Sequence, residues 1–359
     1  MNMRYISKHW NRIAYKIAII AMVFTLIPKV MVLANSKAIS KAQSIINWGR
    51  VESGFCVHIE PKDFAVTLEL HNNQKMVVHS LFTDHTKWAS DRQLATDSGL
   101  YGIVLADYYS SFKNLPYGDN QVNLLVVDDW KRASEAELTY RELFRVIAPG
   151  GAIVVTRPPD LKLSKSMNSE LQSVGFESIE THLQGNATII VAKKAVPEGM
   201  DNWTHREYGP EGNALSSDKI EPPRYLKWTS GNEEYGKDQH AGFRTDNGRV
   251  VYYVAEDKSG KFVGRDVFSG VQLWTKNTEI GKLRQKAYVI NGDRFYCFLD
   301  SDGDLTALDA SNGTVVQTYV GLPPFNDINN VEILYANGYL IGASNGDLVV
   351  WDAESGQKK

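Results

Sequence analysis

Asp300, Asp302 and Asp304 stand at alternate positions around Gly303, a spacing with which an oxygen-lined loop can hold calcium. The stretch Ser301-Asp302-Gly303-Asp304-Leu305 recurs as Ser344-Asn345-Gly346-Asp347-Leu348, with an amide in place of one acid. A repeated hairpin turn therefore explains it better than a metal loop. His58, His71, His79 and His85 share no metal-ligand spacing, and His58 falls in an apolar run, where a hydrogen-bonded core histidine is expected. Cys56 and Cys297 are the only cysteines, which excludes a disulfide framework, a Cys-rich zinc site and a C-x-x-C-H haem attachment. Neither a G-x-S-x-G elbow nor a Walker loop occurs. No catalytic residue and no metal ligand is assigned.

These side chains sit in an ordinary globular sequence. The 359 residues are 43% hydrophobic and 23% charged, so two or three domains with sizeable cores are expected. The net charge of -3 gives no bulk basicity for nucleic acid. Charge is unevenly spread, however. Eight Lys/Arg and no Asp or Glu precede Glu52. Arg4, Lys8, Arg12 and Lys16 lead into the apolar run Ile17–Ile27, which is too short to span a bilayer and suits a signal-peptide core. Val32 and Ala34 fit a cleavage before Asn35. Residues 1–34 are thus expected to be a signal peptide or N-terminal anchor, the protein to be exported, and the membrane to be met only through this leader.

From 39 to 195 short apolar runs alternate with amphipathic segments. The runs are Phe55–Ile59, Met76–Phe82, Ile103–Ala106, Val122–Val127, Ala152–Thr156 and Thr188–Ala192. The pattern predicts βαβ units and a mostly parallel, doubly wound α/β sheet. Ser134 with Glu137 reads as a capping box opening a helix over Ser134–Ile147, which Pro149-Gly150-Gly151 would end.

Within this region the segments Leu115-Pro116-Tyr117-Gly118-Asp119-Asn120-Gln121-Val122 and Glu142-Leu143-Phe144-Arg145-Val146-Ile147-Ala148-Pro149-Gly150-Gly151 resemble the elements before strands four and five of class I S-adenosylmethionine-dependent methyltransferases. The resemblance implies a Rossmann-like fold, S-adenosylmethionine as cofactor, and acids after the first three strands as its contacts. Asp63, Asp84 and Asp107 are the candidates for binding it. The departures are larger than the matches. The family's Gly-rich turn lets backbone approach the ligand, whereas the turn here reads Glu60-Pro61-Lys62-Asp63-Phe64. Pro61 removes an N–H donor, and Phe82 stands where the ribose-binding acid is expected, two residues before Asp84. The reading is a sheet that has lost its cofactor; an S-adenosylmethionine-dependent methyltransferase of unknown acceptor is the alternative.

Residues 196–223 are rich in Pro and Gly and read as a linker, with Trp203 an anchor against one domain and His205 a second candidate. Beyond it, Asp266, Asp309 and Asp352 recur at a constant interval, as do Gly270, Gly313 and Gly356. Asn247-Gly248, Asn291-Gly292 and Asn337-Gly338 each precede a β-rich run. A period of this size predicts β-propeller blades. The D-x-x-[ST/N]-G-x-x-x-W pattern resembles the quinoprotein (PQQ)-type repeat, whose Trp docks on the neighbouring blade. Trp228 and Trp274 fit that position and Gln317 replaces it. Arg224–Trp228 reads as the first outer strand. Residues 224–359 hold about three repeats where closed propellers have about four to eight, so an incomplete all-β propeller is expected. Quinone chemistry needs a closed channel, calcium and an acid that these repeats do not supply, so neither S-adenosylmethionine nor PQQ is the expected cofactor. The whole reads as an exported binding or scaffold protein that meets a protein or cell-surface partner through the propeller.

Overall fold

A computed structural model describes residues 36–157, 165–220, 226–229, 242–255, 259–325 and 331–359. The leader expected over 1–34 lies outside the described residues. Among the described residues no helix is long and apolar enough to cross a membrane.

The first half is a seven-stranded sheet: β1 (Gly54–Ile59), β2 (Met76–Phe82), β3 (Val104–Tyr108), β4 (Val122–Val127), β5 (Ile147–Arg157), β6 (Phe176–Gln184) and β7 (Ala187–Lys194), in the order β3-β2-β1-β4-β5-β7-β6. Strands β1 to β5 run parallel, and β7 pairs antiparallel with both β5 and β6. Parallel strands are buried on both faces, and β4 has all six residues buried. One core holds Cys56, Val78, Leu124 and Val154 under the helix α1 over residues 36–49, α2 (Phe64–Glu69) and α3 (His85–Asp97). The other holds Val57, Leu81, Leu125 and Ile153 under α4 (Trp130–Glu135), α5 (Tyr140–Val146) and α6 (Lys165–Ser173).

The helix expected over Ser134–Ile147 is two helices. Glu137 takes a positive φ of 70° and breaks the run, and Thr139, not Ser134, caps α5 by accepting from Glu142 N. Pro149-Gly150-Gly151 does not end a helix but bulges inside β5, whose pairing jumps from Ile147 opposite Val122 to Ala152 opposite Leu124. A Cβ at Gly151 would come within 2.7 Å of Asn123 O, so only glycine fits that bulge. The sequence also missed β6, a polar edge strand with little alternation to mark it.

The second half is three antiparallel meanders. They are β8 (Phe243–Asp246) to β11 (Gln272–Thr278), through β9 (Arg249–Ala255) and β10 (Gly260–Asp266); β12 (Tyr288–Asn291) to β15 (Val315–Tyr319), through β13 (Arg294–Phe298) and β14 (Leu305–Asp309); and β16 (Val331–Ala336), β17 (Tyr339–Ser344) and β18 (Asp347–Asp352). Their first strands lie side by side, β12 touching both β8 and β16.

The sequence repeat has a physical cause at each Asp-x-x-x-Gly turn. Asp266 Oδ1 accepts from Ser269 N at 2.7 Å and from Ser269 Oγ; Asp309 Oδ1 does the same for Ser311, and Asp352 Oδ1 for Ser355. The glycines close the turns at φ values of 75°, 71° and 74°. With no Cβ they also leave a seat for a side chain from the preceding repeat: Trp228 on Gly270, Trp274 on Gly313 and Gln317 on Gly356. Trp228 Nε1 donates to Val267 O and Trp274 Nε1 to Ala310 O. Gln317 thus takes the docking position with an amide. Of the outer strand expected over Arg224–Trp228, the first two residues lie outside the described residues and 226–229 form no strand.

The segment read as a linker is built into these sheets. Trp203 pairs with Thr245 of β8, Thr204 O accepts from Ile290 N of β12, and His205 Nε2 accepts from Tyr335 N of β16 at 3.0 Å. Asp201 staples the loop by accepting from Ser217 N and the Tyr208 hydroxyl. His205 must be neutral to accept, and burial, then the nearby Arg244 charge, lowers its pKa from the ordinary 6.5 to about 4. Between these values the unfolded chain takes up a proton that the folded chain does not. His205 therefore contributes fully above pH 6.5, and about 3 kcal/mol is lost as pH falls towards 4. Thermal unfolding at a series of pH values checks this: His205→Gln should flatten the profile between pH 6.5 and 4.

The two halves touch at the amino ends of β1 and β4. Asn123 Nδ2 donates to the buried Asp266 Oδ2 at 2.8 Å, Arg249 pairs with the same oxygen at 3.2 Å and reaches Ser53 Oγ, and Gln121 Nε2 donates to Lys227 O.

Candidate functional site

In an open sheet with this reversal of strand order, ligands lie outside the carboxyl ends of the strands, at the switch between β1 and β4. The residues that follow β1, β2 and β4 make the walls here, and the turn after β1 is held down by its own side chains. Glu60 has a φ of 49° and is 3% exposed. Its Oε1 accepts from Thr83 N at 2.7 Å and Thr83 Oγ1 at 2.5 Å, and its Oε2 lies 3.3 Å from Arg132 Nε. Arg132 also donates to Thr83 Oγ1 and pairs with Asp84 at 3.4 Å.

The three acids singled out from the sequence each have another task. Asp63 caps α2 through a bond from Ala65 N. Asp84 caps α3, accepting from Thr86 N and Lys87 N; the bond from Lys87, with Arg132 and Thr86 N, holds its carboxyl below the usual range against the opposing effect of desolvation. Asp107, on β3, accepts from His79 Nε2 at 3.0 Å, while His79 Nδ1 faces the Tyr117 hydroxyl at 2.9 Å. Burial lowers the His79 pKa and outweighs Asp107, so the ring is neutral and bridges phenol and carboxylate. Asp84 and Asp107 meet no common partner.

The strongest cluster was not singled out. Asp128, directly after β4, is fully buried. It accepts from Lys41 Nζ of α1 at 3.1 and 3.2 Å, from Lys62 N at 3.2 Å and from Thr156 Oγ1 at 3.4 Å. His58 Nε2 lies 3.4 Å from the same carboxylate without a hydrogen bond of good geometry, and its Nδ1 is engaged with Thr67. Burial pushes the Asp128 pKa up, but His58 and Lys41 outweigh it and hold the group well below the usual range. The expectation of a core histidine at His58 agrees with this placement. The acid pair Asp128-Asp129 closing an apolar run is the available signal; Lys41 is one of the eight basic residues before Glu52, and nothing local marks it as a partner.

Among the described residues no three metal-ligating side chains converge, and Asp300 spends its Oδ1 on Asp302 N. The Cys56 thiol is buried in the sheet, which pushes its pKa far up and leaves it unreactive.

No family model and no curated protein sequence matches this chain. Solved structures similar to it include a candidate S-adenosyl-L-methionine-dependent methyltransferase from Methanococcus maripaludis, 20% identical over 45% of this chain and 86% of that one, with a TM-score of 0.36. A S-adenosylmethionine-dependent methyltransferase from Aquifex aeolicus is 14% identical over 42% and 87%, with a TM-score of 0.36. The cyclase SpnF is 16% identical over 44% and 81%, with a TM-score of 0.38. The chemistry of the crevice rests on its own residues.

Those residues do not fit S-adenosylmethionine. The turn that should give backbone N–H groups to its carboxylate instead carries Glu60, fixed by two hydrogen bonds and an ion pair; Phe82 stands at the ribose position, and Asp84, two residues on, caps α3.

Proposed function

We propose that the protein is an exported binding or scaffold protein whose methyltransferase-like sheet is not catalytic, and whose meanders are blades of an incomplete PQQ-type propeller that meets a protein or cell-surface partner. The observation that carries the reading is Glu60, buried and bound to Thr83 and Arg132 at the place where a cofactor's carboxylate would need donors. Like charges there cost several kcal/mol once desolvated. The Trp-on-Gly seats and side-by-side first strands support the blade reading. Val315 and Val316, half exposed on the outer strand β15, supply apolar surface for a partner. Export rests on the basic, apolar leader of the sequence.

Calorimetric titration with S-adenosylmethionine tests the central point. The expected result is no saturable heat for the natural chain. Stoichiometric binding would overturn the reading in favour of a methyltransferase.

A further inference from the structure

The Asp128 crevice has the features of a filled receptor. A carboxylate with no exposure sits at the switch between β1 and β4. Its donors are two neutral groups fixed by the sheet and its loop, Lys62 N and Thr156 Oγ1, and one ammonium brought by a separate helix, Lys41 of α1. Lys41 is not sealed in: its side chain is 29% exposed, so the path it takes to Asp128 opens on solvent. A second buried polar atom points to the same place. His58 Nε2 has no hydrogen-bond partner and lies 3.4 Å from Asp128 Oδ2. A buried carboxylate without a cation is costly, so the crevice calls for a positive charge, and Lys41 of α1 provides it as an ammonium.

We propose that this crevice is a binding site for a primary alkylammonium group, that Lys41 occupies it as an internal ligand, and that release of α1 exposes Asp128 to the ammonium of a small amine. The site discriminates by hydrogen bonding: a primary ammonium can donate to both Asp128 oxygens, as Lys41 does, whereas a quaternary ammonium has no N–H to give. The inference does not rest on the scaffold reading: it shares the turn after β1 through Lys62 N, but its argument is the charge on Asp128 and not the bonds of Glu60.

The test uses the full chain with Lys41→Ala, which removes the internal ligand and leaves its path open. Its midpoint of thermal unfolding should fall by about 10 °C, the size expected for a broken buried pair. Ethylammonium chloride should restore most of that fall in a saturable way, while tetramethylammonium chloride at equal ionic strength should not. Adding Asp128→Asn should abolish the rescue. In the natural chain, ethylammonium should speed amide hydrogen exchange over residues 36–49 several-fold, because it competes with Lys41 for Asp128. Equal effects of the two salts, rescue that survives Asp128→Asn, or unchanged exchange in α1 would each overturn the proposal. So would a Lys41→Ala chain that stays unfolded in ethylammonium, because an intact receptor would accept the substitute.

Discussion

Replacing Asp128 with alanine is expected to remove about 3–5 kcal/mol of stability, among the largest losses available to a single substitution in the parallel sheet. The change removes one carboxylate and strands several groups at once. Lys41 keeps a charge 29% exposed with no counter-ion, while Lys62 N and Thr156 Oγ1 lose their acceptor. Asp128 also sets the charge facing His58, whose ring is wholly buried. Asp128→Asn should lose less, since it keeps an acceptor oxygen for Lys62 N. Because Asp128 is charged far below neutrality in the fold, its contribution is present throughout the neutral range and lost only as strong acid protonates it. Urea unfolding of the three chains at pH 7 gives the comparison. Equal stability of all three would show that the cluster is incidental to the fold.

Trp274→Ala is the second substitution with a large expected cost, about 3–5 kcal/mol, here in the antiparallel half. The indole is 7% exposed, lies on Gly264 and Gly313, packs by Phe295 and donates to Ala310 O at 2.8 Å. It packs the first meander on the second, so its loss weakens the contact between two sheets as well as leaving a cavity. Trp274→Phe retains much of the packing and loses the hydrogen bond, for about 1 kcal/mol beyond the lost volume. Near-ultraviolet circular dichroism against temperature distinguishes the two. An alanine variant that unfolds with the natural chain would refute the docking account.

The elements of the parallel sheet were legible because buried strands write themselves as apolar runs. Met76–Phe82 and Val122–Val127 match β2 and β4 residue for residue. The repeat was legible for a different reason: each turn needs an acceptor at Asp and a positive φ at Gly, and both requirements are sharp. What escaped depends on long-range pairing. The break at Glu137 and the bulge at Gly150 come from how the chain meets β4 and its neighbours, which no local pattern specifies. The Glu60 departure was visible as a missing glycine, but its bonds to Thr83 and Arg132 join three distant segments. Lys41 and Asp128 lie 87 residues apart, and no spacing rule connects them.

The stretch Trp203-Thr204-His205 comes before all three meanders in the chain and gives each one a single anchor. Synthesis therefore delivers the anchors before the sheets they hold. The contacts close in chain order, from a span of 42 residues at Thr245 to one of 130 at Tyr335. Loop-closure entropy rises only slowly with such lengths, so the last sheet is captured almost as readily as the first. A segment with the composition of a tether thus ties three sheets together, and for that reason it should tolerate insertions far less well than a tether would.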